Sequence, residues 1–224
     1  MIYYSQYKQD FWVDKLLKKK TDGFFLDIGA NDGVTLSNSY FFEKNRRWKG
    51  ICVEPIDDVY NKLIQNRNCF AVNYCASDKN GEEVFFRIQG DNEMLSGIKS
   101  EYHELHWKRI VKDVEAKGDQ IFESIVNCVT VNDILQQQGS KIIDFFSIDT
   151  EGSELKILKA IDFNRFEFSI ICVENNYNEK ELEIFLCSKG FLLCKILDCD
   201  YLFINKNNIS LYRRALPQII VCSI

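Results

Sequence analysis

Four short apolar runs, each closed by an acidic or amide side chain, constrain the fold of this chain more than any other feature: FFLDIGA at 24–30, GICVEP at 50–55, IDFFSIDT at 143–150 and FSIICVEN at 168–175. A strand with one wet face alternates apolar and polar residues. A run that is apolar at nearly every position has to be covered on both faces, as the strands of a parallel sheet are. Segments at helical spacing lie between the runs, at about 36–45, 57–66, 131–138, 153–160 and 179–188. This alternation predicts an α/β fold built on a doubly wound, mainly parallel sheet. Further extended segments are CFAVNYCAS (69–77), EEVFFRI (82–88), VNCVTV (126–131), FLLCKIL (191–197) and DYLFINK (200–206). The last two are too close in sequence for a parallel crossover, so they must form an antiparallel closing hairpin. The polar, irregular stretch near 90–123 reads as a helical insertion, with its helix at about 100–117. Phe11, Trp12, Leu16 and Leu17 mark an amphipathic helix within residues 5–19.

No Pro-, Gly- or Ser-rich linker interrupts the 224 residues, so the expectation is a single domain over 1–224. A formal net charge of −5 argues against an extended nucleic-acid surface, which needs concentrated positive charge. No run reaches the roughly 20 apolar residues of a membrane span, and the opening MIYYSQYKQDFW lacks the pattern of a signal peptide. The nine cysteines sit mostly singly inside apolar runs and form no CxxC pair, so they read as buried thiols of a reducing, cytoplasmic compartment.

Ligands of open α/β sheets bind at the carboxyl ends of the strands, so the residues closing each run are the candidate site. The first run ends in Asp27-Ile28-Gly29-Ala30-Asn31-Asp32-Gly33, where Gly29 and Gly33 permit a tight turn and close approach of a ligand to backbone. The second ends in Glu54-Pro55, 21 residues after Gly33, where a carboxylate can accept hydrogen bonds from both hydroxyls of a ribose. A nucleoside site follows. The loop lacks the central glycine of GxGxxG, which disfavours a dinucleotide.

DIGANDG, the run SNSYFFEKNRRWKGICVEP at 37–55, the opening SQYKQD at 5–10 and IDFFSIDTEGSELKIL at 143–158 together resemble the FkbM-type S-adenosylmethionine-dependent methyltransferases over most of residues 5–175. The resemblance implies a class I methyltransferase (Rossmann-like) fold, S-adenosylmethionine as methyl donor, and O-methylation, often of sugar or natural-product hydroxyls. It places Asp27, Gly29, Ala30, Asn31, Gly33 and Ser37 around the methionine and ribose, with Glu54 and Pro55 on the ribose side. Cys75, Ala76 and Ser77 border the adenine, and Gln6 and Asp10 belong to an N-terminal segment covering the cofactor. The fourth and fifth runs end in Asp149-Thr150-Glu151-Gly152 and Glu174-Asn175. Asp149, Glu174 and Asn175 offer three oxygen donors of the kind Mg²⁺ or Mn²⁺ prefers, resembling the metal site of catechol-type O-methyltransferases. Those enzymes place a lysine base three residues after the first metal ligand, and that position is Gly152 here.

An alcohol ionises far above neutral pH, so methylating one needs a base or a Lewis acid. The candidate catalytic residues are Asp149, Glu151, and His103 or His106 in the insertion, of which His103 is preferred; a histidine has the ordinary pKa nearest neutrality. The expected acceptor is a small polar molecule, a sugar of a glycan above all. A catechol or phenol is the alternative, as is a nucleoside-binding module without turnover.

Overall fold

The computed structural model describes residues 2–176 and 178–218. Its strands are β1 (Phe24–Ile28), β2 (Lys49–Val53), β3 (Phe70–Val72), β4 (Cys75–Ser77), β5 (Gly81–Gln89), β6 (Gly97–Ile98), β7 (Gln120–Thr130), β8 (Ile142–Ile148), β9 (Glu167–Glu174), β10 (Phe191–Leu197) and β11 (Asp200–Asn205). Its helices are α1 (Gln9–Leu16), α2 (Tyr40–Arg46), α3 (Asp57–Asn66), α4 (Glu104–Lys117), α5 (Val131–Gln137), α6 (Glu154–Ala160), α7 (Lys180–Ser188) and α8 (Ile209–Ala215).

The main sheet has the order β10-β11-β9-β8-β1-β2-β3. Strands β1, β2, β3, β8 and β9 run parallel, and β11 pairs antiparallel with both β9 and β10. The continuous apolar runs follow from burial of both faces. Leu26 and Ile28 of β1, Phe146 and Ile148 of β8, and Ile171 and Val173 of β9 project into one core cluster. Residues of the opposite parity, Phe25, Phe145, Ile170 and Cys172, join the other. Strand side chains alternate faces, so a two-sided core demands apolar residues at most positions of both faces. On the second face the ring of Phe42 lies 4.5 Å from Trp48 and 5.6 Å from Phe145.

The insertion differs from the expected one. The segment 69–77 is two strands rather than one, divided at Asn73-Tyr74: β3 ends the main sheet, while β4 opens a second sheet of order β4-β7-β5-β6. The helix of the insertion lies where it is expected, as α4 (Glu104–Lys117), but it is bracketed by a long antiparallel β5–β7 pairing that the sequence reading does not include. Ile88 of β5 packs on Ile110 and Val114 of α4. The opposite face of this sheet carries Phe85 and Cys128 onto Ile56 and Val59 of the main fold. The N-terminal helix spans Gln9–Leu16 rather than 5–19, and α2 starts at Tyr40 rather than near 36, because Leu36 has a left-handed backbone (φ 54°). The helix α8, whose Leu211 and Ala215 are buried, was not signalled by the sequence pattern.

Candidate active site

A cavity of about 430 Å³ opens at the carboxyl ends of β1, β2, β8 and β9. The N-terminal segment covers it through Gln6, Tyr7 and Gln9; the loop 91–96 of the second sheet and the β10–β11 turn at Asp198 and Cys199 complete its wall. Gln9 Nε2 donates to Asp200, tying the strap to that turn across the site.

Ten of the residues expected around a cofactor line this cavity: Gln6, Asp27, Gly29, Ala30, Asn31, Ser37, Glu54, Pro55, Cys75 and Ala76. Gly29 (φ 80°) sits where β1 and β8 end side by side, and a Cβ there would stand 1.9 Å from the carbonyl oxygen of Asp149. Only glycine admits that approach, which brings the β1 loop onto the tip of β8. Glu54 is buried and accepts from the backbone N–H of Ile56 (2.9 Å) and of Asn31 (3.0 Å), which fixes its carboxylate against the β1 loop. Burial pushes its pKa up to about 7, although both backbone donors pull the other way. Asp27, facing the same cavity, accepts from Ser39 Oγ and is likewise raised by burial.

Three residues expected at the cofactor stand behind the wall instead. Asp10 accepts from the backbone N–H of Tyr4 (2.6 Å) and from Ser5 Oγ (2.5 Å), so it braces the strap without entering the cavity. Gly33 (φ 80°) shapes the β1 loop, its carbonyl accepting from Arg67 Nη1 at 2.9 Å. Ser77 is buried at the end of β4 and donates to Asp78 (3.2 Å).

At the other end of the cavity Asp149, Glu151 and Glu174 converge. Asp149 lies at the inner wall of the cavity, surrounded by protein atoms but with its side chain open to the water that fills the cavity. Burial and the neighbouring Glu151, Asp200 and Glu154 hold its pKa well above the ordinary carboxylate range. Glu174 is raised by burial and by Asp149. Glu151, in a left-handed conformation (φ 60°), is pushed up to about 8 by burial and Glu154. Asp200 is pushed up to about 6, again by burial. Carboxyls forced together in a low-dielectric site retain protons until a cation arrives.

Two expected participants are displaced. His103 is exposed, lies outside the cavity wall, and caps α4 by accepting from Leu105 N–H at 3.2 Å. The histidine that reaches the site is His106, one turn further on and buried; its Nε2 lies 2.8 Å from Glu151 Oε2, and burial with Arg109 lowers its pKa to about 4. Asn175 is buried but turned away: its Oδ1 accepts from Glu179 N–H (2.8 Å), closing the loop before α7. The third carboxylate of the cluster is Glu154. Atoms of Asp149, Glu154 and Glu174 lie within 4.8 Å of one another. Glu154 also accepts from Thr150 N–H (2.7 Å), Thr150 Oγ1 (2.8 Å) and Gly152 N–H (3.0 Å), which holds the loop after β8 in place.

Sequence reasoning passed over Asn38 and Ser153. Asn38 Nδ2 donates to Ser147 Oγ (2.9 Å), while its Oδ1 is enclosed without a partner among the described residues. Ser153 Oγ is buried in the cavity wall with no partner either. Both follow directly on residues read as functional, Ser37 and the DTEG loop, and that adjacency was the available signal.

Sheet order, the β1 loop and the acidic tip of β2 define the class I methyltransferase fold. The methyltransferase FkbM domain matches residues 27–202, and the chain belongs to that family, whose methyl donor is S-adenosylmethionine. None of the curated proteins matches. Among solved structures, a methyltransferase FkbM from Methylobacillus flagellatus KT is similar at 14% identity and TM-score 0.52, over 90% of this chain and 48% of that one. The METTL16 methyltransferase domain follows at 13% and 0.49, over 86% and 64%. A human methyltransferase 10 domain containing protein stands at 11% and 0.45, over 91% and 83%. The chain spans about half the length of the FkbM structure.

Proposed function

We propose that this chain transfers the methyl group of S-adenosylmethionine to a hydroxyl of a small polar acceptor, a sugar of a glycan. The observation that carries this reading is the division of one cavity into a nucleoside end at Glu54 and an acceptor end where Asp149, Glu151 and Glu174 meet. Glu54 accepts from the ribose hydroxyls, and Asn38 Oδ1 supplies an enclosed acceptor toward the methionine end. The donor supplies a methyl already activated on a sulfonium, so the chain has to align an oxygen behind it and remove a proton. Asp149 places negative charge there, and Asp149 or Glu151 takes the hydroxyl proton. The acceptor oxygen gains the methyl, the sulfur keeps the electron pair of the broken bond, and S-adenosylhomocysteine leaves.

The oxygen set Asp149, Glu154 and Glu174 fits a hard divalent ion, with Glu154 in the place expected of Asn175. Mg²⁺ or Mn²⁺ held there would supply Lewis acidity to the hydroxyl. An acidic cavity in a chain of net charge −5 suits a neutral sugar and not a polyphosphate such as nucleic acid. Methyl transfer from labelled S-adenosylmethionine to a panel of glycosides and phenols tests the reading. Asp149→Asn should keep cofactor affinity within a few-fold and lose most of kcat, because a group acting in the transition state acts on kcat. Chelation should abolish transfer and Mg²⁺ or Mn²⁺ restore it. Cofactor binding with no transfer to any acceptor would favour a binding module, and transfer to phenols alone the catechol-type reading.

A further inference from the structure

Behind the wall of the cavity one buried arginine joins three of the elements that shape it. Arg67, its side chain fully enclosed, donates from Nε to Glu43 Oε2 of α2 (2.8 Å), from Nη1 to the carbonyl of Gly33 in the β1 loop (2.9 Å) and from Nη2 to Ser39 Oγ (3.1 Å). The pair with Glu43 would suffice to fasten the end of α3 to α2; the other two contacts lead toward the cavity. Ser39 precedes α2, where a serine hydroxyl ordinarily accepts from a backbone N–H of the first turn. Here it makes no such cap and donates to Asp27 instead. The direction of this chain is forced. A guanidinium only donates and a hydroxyl carries one hydrogen, so Arg67 occupies a lone pair of Ser39 Oγ and leaves its O–H for Asp27.

Resting on the reading of this cavity as the S-adenosylmethionine site, we propose that Arg67 is a positioning residue for the donor, holding the Asp27 carboxylate, through Ser39, against the ammonium of the donor's methionine. Asp27 lines the cavity and Arg67 does not, so the arginine acts on the ligand only through what it holds. Ser147, paired with Asp27 in register across β8 and β1, accepts from Asn38 Nδ2 and keeps the enclosed Asn38 Oδ1 in the same part of the cavity. An ammonium offers three donors and no acceptor, so two oxygen acceptors standing together suit it, provided that they do not turn away. A carboxylate held by one hydroxyl is free to turn unless that hydroxyl is itself fixed. Arg67 fixes it, and its planar fork cannot swing, since Nε and Nη1 are committed to Glu43 and Gly33. Charge works in the same sense: burial raises the Asp27 pKa, while Ser39 and Arg67 both pull it back toward the ionised form that an ammonium favours.

The test compares two ligands that share an adenosine and a thioether, S-adenosylhomocysteine and methylthioadenosine, of which only the first carries the amino acid. Calorimetry on Arg67→Gln and on Ser39→Ala is expected to show S-adenosylhomocysteine weakened roughly tenfold, the scale of one hydrogen bond to a charged group, with methylthioadenosine within about twofold of its wild-type affinity. The double variant is expected to bind S-adenosylhomocysteine within about twofold of the weaker single variant, because both substitutions cut one chain. Equal loss of both ligands would make Arg67 a support of the fold alone and overturn the proposal, as would unchanged affinity for S-adenosylhomocysteine or losses that multiply in the double variant. Should Arg67→Gln not fold, Arg67→Lys keeps the charge without the fork and is expected to show the same selective loss; equal loss of both ligands, or no loss, overturns the proposal there too. Failure of the wild type to bind either ligand overturns the donor reading and the proposal with it. Equal wild-type affinity for the two overturns the proposal and leaves the nucleoside end standing.

Discussion

Replacing Glu54 by glutamine tests whether the proposed nucleoside end of the cavity is built at the expense of stability. The ordinary carboxyl value is 4.5, and burial pushes Glu54 up to about 7 in the fold. The native protein therefore keeps this proton at pH values where the unfolded chain has lost it. The sign follows from linkage: stability declines as pH rises from about 4.5 to about 7 and is level above, because the ionised native form is the costly one. At 1.36 kcal/mol per pH unit the decline amounts to about 3 kcal/mol. Glutamine does not ionise and carries none of it. One of the two backbone donors, Ile56 N–H or Asn31 N–H, then faces an amide NH₂, but that penalty does not vary with pH. The difference in unfolding free energy between Glu54→Gln and the wild type should thus move by about 3 kcal/mol in favour of the variant between pH 4.5 and 8 without cofactor, as read by urea denaturation at constant ionic strength. Ribose hydroxyls favour the ionised carboxylate, so wild-type affinity for S-adenosylhomocysteine should rise with pH until about 7 and then level, while the variant binds more weakly and without that slope. A stability difference that does not change with pH would refute the burial argument, and a flat wild-type affinity would remove Glu54 from the cofactor.

Two further substitutions probe the same cavity. Asn38→Ala should weaken S-adenosylhomocysteine roughly tenfold by calorimetry, the scale of one hydrogen bond to a charged group; unchanged affinity would show that the enclosed Oδ1 meets no part of the ligand. Gly29→Ala should lower both Tm and cofactor affinity, because its Cβ would meet the Asp149 carbonyl at 1.9 Å and push β1 and β8 apart at their tips. A fully stable Gly29→Ala protein that still binds cofactor would mean that the loop has room the geometry denies.

The main sheet was legible because its strands are buried on both faces, and a continuous apolar run admits few other placements. Glu54 and Gly29 were legible for a related reason: each sits at a strand tip, where spacing along the chain and position in space coincide. The second sheet was not. Its strands are half-exposed, with Val84 and Ile125 open to solvent, so their apolar pattern is weak. Nothing in CFAVNYCAS announces that Asn73 and Tyr74 divide it between two sheets. Asn73 Nδ2 donates to the carbonyls of Glu54 (3.1 Å) and Pro55 (3.2 Å), contacts that exist only once β2 and β3 are paired.

The two displaced residues show where reasoning from strand tips ends. Asn175 was chosen because it is adjacent to Glu174, but successive residues leaving a strand point in different directions, and this one turns into the loop before α7. Glu154 enters from the first turn of α6, five residues beyond Asp149, and it does two things at once: its oxygens clasp Thr150 and Gly152, and they stand within reach of Asp149 and Glu174. The histidines repeat the lesson. His103 and His106 share a helix, yet the first caps it in water and the second is carried by α4 onto Glu151. A helix places residues three apart on one side, but whether that side faces solvent or protein is set by the sheet beneath it, here the β5–β7 pairing. The insertion therefore delivers Arg109 to the wall of the cavity and sets His106 against Glu151, which in the proposed reading is its acceptor end, the proposed nucleoside end being made by the parallel sheet. Changes in α4 should accordingly alter acceptor use while leaving S-adenosylhomocysteine affinity nearly unchanged, whereas changes in the β1 loop should lower both together.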